Sequence, residues 1–305
     1  MVSQFRTIVF AVVFTLGHAN GSSIKPLQTD SFDVEFVRNV QYGSATSQAG
    51  RELELEMDIY KPINGNTKRH LIILAHGGYF LSGSKENFSE EAEELAKAGF
   101  VVASINYRLI DIENSDWASQ RACVDAVHDM KAVIRYFVKD SETGDHYGID
   151  PNNIFIGGYS AGAITALHCA YANTMEEVLL MGDEKLLDYA VKNGGLEGKS
   201  GNAGYEVKIK GVINIAGSMK SCEFMEPGDP ALFSVHGTMD YVVPFNIGTT
   251  GETKIETMGS GKIHPYANKI GLKNELIAID GGNHFAFFDC LDCLERLVKF
   301  VSSLP

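Results

Sequence analysis

The sequence predicts an α/β fold with a mostly parallel central sheet and helices on both faces. Six short apolar runs recur from residue 71 onward, namely LIILA, FVVASI, NIFIGG, GVINIAG, ALFSVHG and ELIAID, and segments with helical spacing lie between them. Strands that are apolar on both faces and alternate with helices are typical of a parallel sheet covered on two sides. The chain has 305 residues, 45% of them hydrophobic, which suffices for the core of one large domain.

The N-terminus has the layout of a secretory signal peptide. Arg6 precedes an apolar stretch from Thr7 to Leu16, and the small residues Gly17 and Ala19 follow. The apolar stretch is shorter than the roughly 20 residues that a membrane-spanning helix needs. We therefore expect a signal peptide over residues 1–19, a secreted or periplasmic protein, and no stable membrane insertion after cleavage. No repeat, low-complexity tract or linker divides residues 20–305, which are expected to form a single catalytic domain.

The remaining elements are predicted from local patterns. FDVEFVRNVQYG and ELELEMDIYKP alternate apolar and polar residues, which indicates an antiparallel start to the sheet. Helices are expected from Ser89 to before Gly99, from about Asp116 to Lys139, and over the final LERLVKFVSSL. The stretch from Met175 to about Asn202 is interpreted as an inserted helical segment that lies over the sheet.

The net charge limits the partners that are expected, and the cysteine content bears on the compartment. A net charge of −13 without a basic run argues against nucleic acid. The five cysteines are an odd number, which suits an exported protein with at least one thiol outside an intrachain disulfide. The CLDC pair is expected to be a structural disulfide or two buried thiols, and the pairing among the cysteines stays open, as does the oligomeric state. They are Cys123, Cys169, Cys222, Cys290 and Cys293.

Ser160 is the candidate nucleophile. It stands in GYSAG, which follows the apolar run NIFIG and opens a helical segment. In a nucleophile elbow, glycines on both sides allow a tight strand-to-helix turn that presents the serine above the sheet at the positive end of a helix. The five-residue pattern alone is weak, but this strand–turn–helix context is the one that the elbow requires.

An acid and a histidine follow Ser160, each beyond a later strand, in the order that this type of triad requires. Asp240 comes after ALFSVHG, and His284 lies in a glycine-containing loop after ELIAID. Asp280 is too near His284 in the chain to orient it easily, and Asp229 precedes a strand. His236 is expected to support the loop of Asp240 through hydrogen bonds. We therefore predict a triad of Ser160, Asp240 and His284.

The HGG sequence after the run LIILA supplies candidate oxyanion donors. The amides of Gly77 and Gly78 are free of bulky side chains, and the amide of Ala161 adjoins the nucleophile. His76 is expected to hold this loop in place. No ligand cluster such as HExxH is present in the sequence, and acyl transfer by a serine triad requires neither a metal nor an organic cofactor.

The chain resembles the α/β-hydrolase superfamily, in the HGG-motif branch of hormone-sensitive-lipase-like esterases and secreted carbohydrate acetyl and feruloyl esterases. The segments HGGYFLSGS, INYRL, GIDPNNIFIGGYSAGA and HGTMDYVVP carry the resemblance across nearly the whole mature chain. It implies the same triad and oxyanion hole, and an ion pair between Arg108 and Asp129 that braces a strand end. Tyr79 stands where many relatives have glycine and Phe80 where tryptophan is frequent.

These features predict a serine esterase that acts on short-chain or aryl esters, either small molecules or acetyl, feruloyl or polymeric esters. Tyr79, Phe80 and Tyr159 are the candidate substrate-binding residues. Two alternatives use the same fold. One is an amide hydrolase similar to arylformamidases or peptidases, and the other is a non-catalytic binding protein.

Overall fold

The computed structural model describes residues 31–63, 68–251 and 253–305, so the predicted signal peptide lies outside the described residues. These residues form an eight-stranded sheet and a three-stranded sheet. The strands are β1 (Val34–Thr46), β2 (Glu52–Pro62), β3 (Arg69–Ala75), β4 (Val101–Ile105), β5 (Ile149–Tyr159), β6 (Gly211–Ile215), β7 (Ser218–Met219), β8 (Ala231–Gly237), β9 (Ile247–Thr249), β10 (Glu256–Gly259) and β11 (Asn274–Ile279). The helices are α1 (Ser89–Lys97), α2 (Asp116–Thr143), α3 (Ala161–Tyr171), α4 (Met175–Met181), α5 (Glu184–Lys192), α6 (Ser260–Lys269) and α7 (Cys293–Ser302).

The eight-stranded sheet is antiparallel at one edge and parallel elsewhere. Its order is β1-β2-β4-β3-β5-β6-β8-β11. β1 pairs antiparallel with β2, and β2 with β4, whereas all later neighbours are parallel. The six apolar runs are β3, β4, β5, β6, β8 and β11, so the predicted antiparallel start and parallel sheet are both confirmed.

Helices cover both faces of this sheet, as predicted. Adjacent strand residues point to opposite sides, and Ile72 and Ile73 of β3 accordingly belong to different hydrophobic cores. The core around Ile73 includes Met130 of α2 and Leu167 of α3. The core around Ile72 includes residues of α1 and α7. The sheet is therefore a rigid platform between two packed helical layers.

The helix boundaries agree with the local signals. α1 begins at Ser89 and ends before Gly99, whose φ of +103° favours glycine. α2 begins after Ser115, whose hydroxyl accepts a hydrogen bond from the amide of Ala118. α2 continues through Thr143, four residues beyond the prediction. Among the described residues, no helix is both long and apolar enough to cross a bilayer.

The helical segment predicted from Met175 to Asn202 consists of α4, α5 and a loop that is bonded to α2. Three basic side chains of α2 hold the loop, because His128 donates to the carbonyl of Gly195, Lys131 donates to that of Leu196, and Arg135 binds Glu197. These contacts fasten the loop that follows α5 to α2.

The structure settles the pairing of the CLDC segment. Cys290 and Cys293 form a disulfide, whereas Cys123, Cys169 and Cys222 are free. Asp292 lies close to both sulfur atoms, but these sulfurs are bonded to each other, so they do not offer thiolate ligands.

Glu91 on α1 gives a prediction about pH and stability. Its side chain is buried, and this burial raises its pKa from 4.5 to about 7. The folded protein therefore binds this proton more tightly than the unfolded chain, and stability falls as the pH rises from about 4.5 to about 7. Relative to wild type, Glu91→Gln should gain about 3 kcal/mol in the free energy of unfolding at pH 8 and little at pH 4.5.

Urea unfolding at the two pH values measures this difference. Glu93→Gln is the matched control, because its side chain is exposed on the same helix, whereas the charge of Glu90 itself raises the pKa of Glu91. A gain for Glu91→Gln that is equal at both pH values would contradict the electrostatic explanation.

Candidate active site

The candidate residues follow strands that end at the same edge of the sheet. Ser160 follows β5, Asp240 lies three residues beyond β8, and His284 follows β11. β5, β6, β8 and β11 are consecutive and parallel in the sheet, so the loops after them gather at one edge. Residues far apart in the chain are thereby brought together.

Ser160 occupies a strained turn between β5 and α3. Its φ is +55° and its ψ is −117°, which is unusual for a residue with a side chain. The turn needs the glycines on either side, because a Cβ atom at Gly158 or at Gly162 would overlap the carbonyl oxygen of Ala75. The amide of Ser160 donates to the carbonyl of Ile215 at 2.9 Å. This is the geometry of the predicted nucleophile elbow.

The three side chains form a continuous hydrogen-bonded relay. Ser160 Oγ lies 3.0 Å from His284 Nε2, and His284 Nδ1 lies 2.7 Å from Asp240 Oδ2. Both Ser160 and His284 are 4% exposed. With Nδ1–H donating to the carboxylate, Nε2 is the acceptor for the serine hydroxyl. The arrangement can therefore remove a proton from Ser160.

Asp240 is held as a carboxylate by its surroundings. Burial would raise its pKa, but hydrogen bonds from His236 and His284 together keep the pKa well below its usual range. Its Oδ1 accepts from the amides of Val242 at 2.8 Å and Val243 at 2.9 Å. The charge is thus oriented by four donors.

His236 contacts Asp240 directly, which the sequence did not predict. Its Nε2 lies 3.3 Å from Asp240 Oδ2 and 3.2 Å from the carbonyl of Val243, and its Nδ1 lies 2.9 Å from Ser260 Oγ. The expectation that His236 supports this loop is confirmed. In the sequence, the spacing of four residues between His236 and Asp240 was the feature that could have indicated this contact.

The competing acids lie elsewhere. Asp280 accepts a hydrogen bond from Thr238 at 3.3 Å, and Asp229 accepts one from the amide of Glu226 at 2.7 Å before β8 begins. The structure therefore brings Asp240, and neither rival, to His284.

The loop after β3 carries the candidate oxyanion donors. His76 stacks on Tyr107 with ring centroids 4.4 Å apart, and its Nδ1 donates to the carbonyl of Gly77 at 2.6 Å. Tyr107 in turn donates to the carbonyl of His76 at 2.7 Å. Gly78 has φ +113°, and a Cβ atom there would overlap the carbonyl oxygen of Ser82. These contacts connect His76 to Tyr107 and to the start of the loop, and its bracing role stays a prediction.

A small, largely apolar cavity of about 90 Å³ opens beside Ser160. Tyr79 and Phe80 line it, and both have positive φ, at +57° and +61°. Tyr159 does not line this cavity. Its ring instead packs against His284, with centroids 4.9 Å apart, and its hydroxyl donates to the carbonyl of His284. Two of the three candidate substrate contacts therefore face the cavity.

Arg108 and Asp129 form the predicted ion pair. The guanidinium contacts both carboxylate oxygens at 2.8–3.0 Å, and the amide of Arg108 donates to Asp129 at 2.8 Å. Asp125 adds a second carboxylate 3.1 Å from the guanidinium, and Ser200 donates to Asp129 at 2.6 Å. The pair fixes the segment after β4 to α2.

Comparisons with known proteins place the chain in a family. The sequence profile described as BD-FAE matches residues 57–222, which is more than half of the chain and includes Ser160. The chain belongs to the BD-FAE family. Asp240 and His284 lie outside the residues that the family profile matches, so only the structure shows how they contact Ser160 and each other.

Two curated proteins are similar to parts of this chain. A probable isoprenylcysteine alpha-carbonyl methylesterase of Oryza sativa subsp. japonica is 25% identical over 72% of this chain. Gut esterase 1 of Caenorhabditis briggsae is 33% identical over 36% of this chain. The chain spans 53% of the length of the rice protein and 19% of that of the nematode protein.

Solved structures confirm the α/β-hydrolase fold. Esterase 2 of Thermogutta terrifontis, in its tabun-modified form, is 20% identical and superposes over 91% of this chain and 96% of its own, with a TM-score of 0.61. A truncated carbohydrate esterase from gut microbiota superposes over 92% and 99%, with 20% identity and a TM-score of 0.56. At these identities, the likeness establishes the fold.

Proposed function

We propose that this protein hydrolyses carboxylic esters through a covalent acyl-enzyme on Ser160. The observation that carries the proposal is the relay of Ser160, His284 and Asp240 at a strained elbow, with hydrogen-bond distances of 3.0 and 2.7 Å. A serine hydroxyl is inert at neutral pH without an adjacent base, and here the base and its orienting acid are both in place.

The reaction follows from these contacts. Ser160 Oγ attacks the ester carbonyl while His284 Nε2 takes its proton, and Asp240 stabilises the resulting imidazolium. The amides of Gly77, Gly78 and Ala161 bind the oxyanion. Collapse of the intermediate breaks the C–O bond, and His284 gives its proton to the departing alcohol. A water molecule then repeats these steps on the acyl-enzyme and releases the acid.

The names of the relatives favour an ester over an amide as the substrate. The names of the rice and nematode proteins specify a methylesterase and an esterase, and the structural neighbours are called an esterase and a carbohydrate esterase. One structure of esterase 2 of Thermogutta terrifontis is described as propionate bound. Short-chain or aryl esters, including those attached to polysaccharide, are the substrate class that we propose.

A secreted or periplasmic location is part of the proposal, because the first 19 residues have the charge and length pattern of a signal peptide. The mass of the exported chain tests it. Cleavage after Ala19 predicts a mature chain that begins at Asn20, and retention of the full chain inside the cell would contradict export.

Parallel assays of p-nitrophenyl acetate, p-nitrophenyl decanoate, methyl ferulate and N-formylkynurenine test the reaction class. We expect turnover of at least one ester that Ser160→Ala abolishes, and little turnover of the formamide. A preference for the formamide would establish an amide hydrolase instead. A folded protein that hydrolyses none of the four would overturn the proposed activity on this substrate class.

The loop that carries Gly78 gives a separate prediction. Gly78→Ala places a Cβ where the carbonyl oxygen of Ser82 lies, so the loop must shift and its amides leave the site. Loss of one oxyanion donor costs about 10²–10³-fold in kcat, and we expect a loss of this size with p-nitrophenyl acetate.

Gly228→Ala is the control for this variant. Gly228 also has a positive φ, of +98°, but a Cβ atom there meets nothing within 4 Å. We expect unchanged kcat for this control. Equal kcat for wild type and Gly78→Ala would exclude this loop as the source of oxyanion donors.

A further inference from the structure

The lining of the cavity beside Ser160 indicates which part of an ester it receives. It is lined by Ser160 and Ala161, but His284 and Asp240 are not among its lining residues. The departing alcohol must lie within hydrogen-bond reach of His284 to receive its proton. The alcohol therefore leaves on the side of His284, and the cavity on the other side of Ser160 receives the acyl group.

His168, Met181 and Leu186, from α3, α4 and α5, line this cavity, and we refer to them as its floor. The backbone at Met181 is held by α2, because Gln120 Nε2 donates to its carbonyl at 3.3 Å. Leu186 is fully buried. A Cβ atom at Gly182, between the two helices, would press on Leu186. The floor is therefore tightly packed.

His168 is fixed by hydrogen bonds on both ring nitrogens. Its Nδ1 donates to the carbonyl of Ile164 at 2.8 Å, and its Nε2 accepts from the amide of Lys220 at 3.1 Å. Burial lowers its pKa to about 4, so the ring is neutral at pH 7. His168 cannot swing away to lengthen the cavity without losing both bonds.

A second cavity, of about 20 Å³, shares two residues of this floor. His168 and Met181 line both cavities, whereas Val178 and Ala190 line only the second one. Met181 is 7% exposed, and because it lines both cavities we place its side chain between them. Methionine has a flexible, unbranched side chain, and truncation to alanine removes most of the atoms that lie between the two cavities.

We propose that Met181 is the residue that limits acyl length, and that the acyl groups accepted are straight chains of up to about four carbons. This inference rests on the proposed esterase activity. A cavity of about 150 Å³ is known to hold benzene, with six carbons, so about 90 Å³ suits roughly four. Longer acyl groups would need the second cavity, which Met181 closes off.

Met181→Ala tests the proposal with p-nitrophenyl butyrate and octanoate. One methylene in an apolar pocket changes kcat/KM by about tenfold or more. We therefore expect wild type to prefer butyrate, and Met181→Ala to raise the octanoate-to-butyrate ratio of kcat/KM at least about tenfold. Leu180→Ala is the matched control on the same helix, because Leu180 is 60% exposed and lines neither cavity. Equal ratios in wild type and Met181→Ala would overturn the proposal.

Met181→Val carries the same test if the alanine variant does not fold. It removes fewer atoms, so a shift in the same direction but of smaller size is expected, and no shift overturns the proposal. The backbone hydrogen bond from Gln120 remains in both variants, since it involves the carbonyl of residue 181.

Binding of alkylboronic acids separates this proposal from the proposed activity. Ser160 Oγ adds to boron without turnover, and bound inhibitor raises the melting temperature. Boron takes the place of the carbonyl carbon, so propylboronic acid corresponds to butyrate and heptylboronic acid to octanoate. We expect heptylboronic acid to stabilise Met181→Ala more than wild type, and propylboronic acid to stabilise both. If no ester is hydrolysed but this pattern holds, the proposed activity fails and the role of Met181 stands. If esters are hydrolysed and neither readout changes, the role of Met181 alone fails.

Discussion

Replacement of Ser160 by alanine is expected to lower kcat for p-nitrophenyl acetate by about 10⁶-fold, the size seen when the nucleophile of a serine triad is removed. Alanine has no atom that can form the acyl-enzyme, so only oxyanion binding and positioning of substrate remain. These account for about 10³–10⁴-fold over the uncatalysed reaction in such enzymes.

The substitution is structurally conservative. Serine and alanine both carry a Cβ at the strained φ of +55°, and the amide of residue 160 keeps its bond to Ile215. Ser141→Ala on α2 is the control, because the Ser141 hydroxyl donates to the carbonyl of Val138 on the same helix and Ser141 does not line the cavity beside Ser160. Steady-state rates and melting temperatures of both variants check the expectation. Turnover by a folded Ser160→Ala within tenfold of wild type would exclude Ser160 as nucleophile.

Asp240→Asn is expected to lower kcat by about 10⁴-fold. The amides of Val242 and Val243 donate to Oδ1, so the oxygen of the asparagine amide must occupy that position. Its NH₂ group then faces His284 Nδ1 in place of Oδ2. His284 is forced to accept there and to carry its proton on Nε2, where it can no longer take one from Ser160.

Asp280→Asn is the matched control for this variant. Asp280 lies closer to His284 in the chain, but its carboxylate binds Thr238 at the tip of β11. We expect kcat of the control to equal that of wild type. If Asp240→Asn lowers kcat by less than about threefold, or if Asp280→Asn lowers kcat more than Asp240→Asn does, then Asp240 is not the acid of the triad.

Most of the fold follows from local sequence patterns. Each parallel strand is apolar on both faces because helices cover both sides, so its run is visible without tertiary information, as LIILA for β3 shows. The elbow is visible for a similar reason. Gly158 and Gly162 are needed where Cβ atoms would meet Ala75, and this local requirement marks the serine between them.

Other features depend on contacts between distant segments, and no local pattern predicts them. β7, β9 and β10 are two to four residues long and form a second sheet, in which β7 pairs with residues of β10 about 40 positions later in the chain. The cavity beside Ser160 combines side chains from several helices with those of Thr250, Thr253, Ile255 and Thr257. The pairing of Arg108 with Asp129 came from the family resemblance, because nothing in the spacing selects Asp129 over Asp125 as its main partner.

Peptide mapping after treatment with paraoxon tests most directly whether Ser160 is the nucleophile. Ser160 Oγ should attack phosphorus and expel p-nitrophenolate, which leaves one diethylphosphoryl group per chain. Esterase 2 of Thermogutta terrifontis has been solved phosphorylated by this compound. We expect the added mass on the peptide that contains Ser160, with parallel loss of ester hydrolysis, and no label on Ser160→Ala. Label on another residue, or loss of hydrolysis without label on Ser160, would contradict the account.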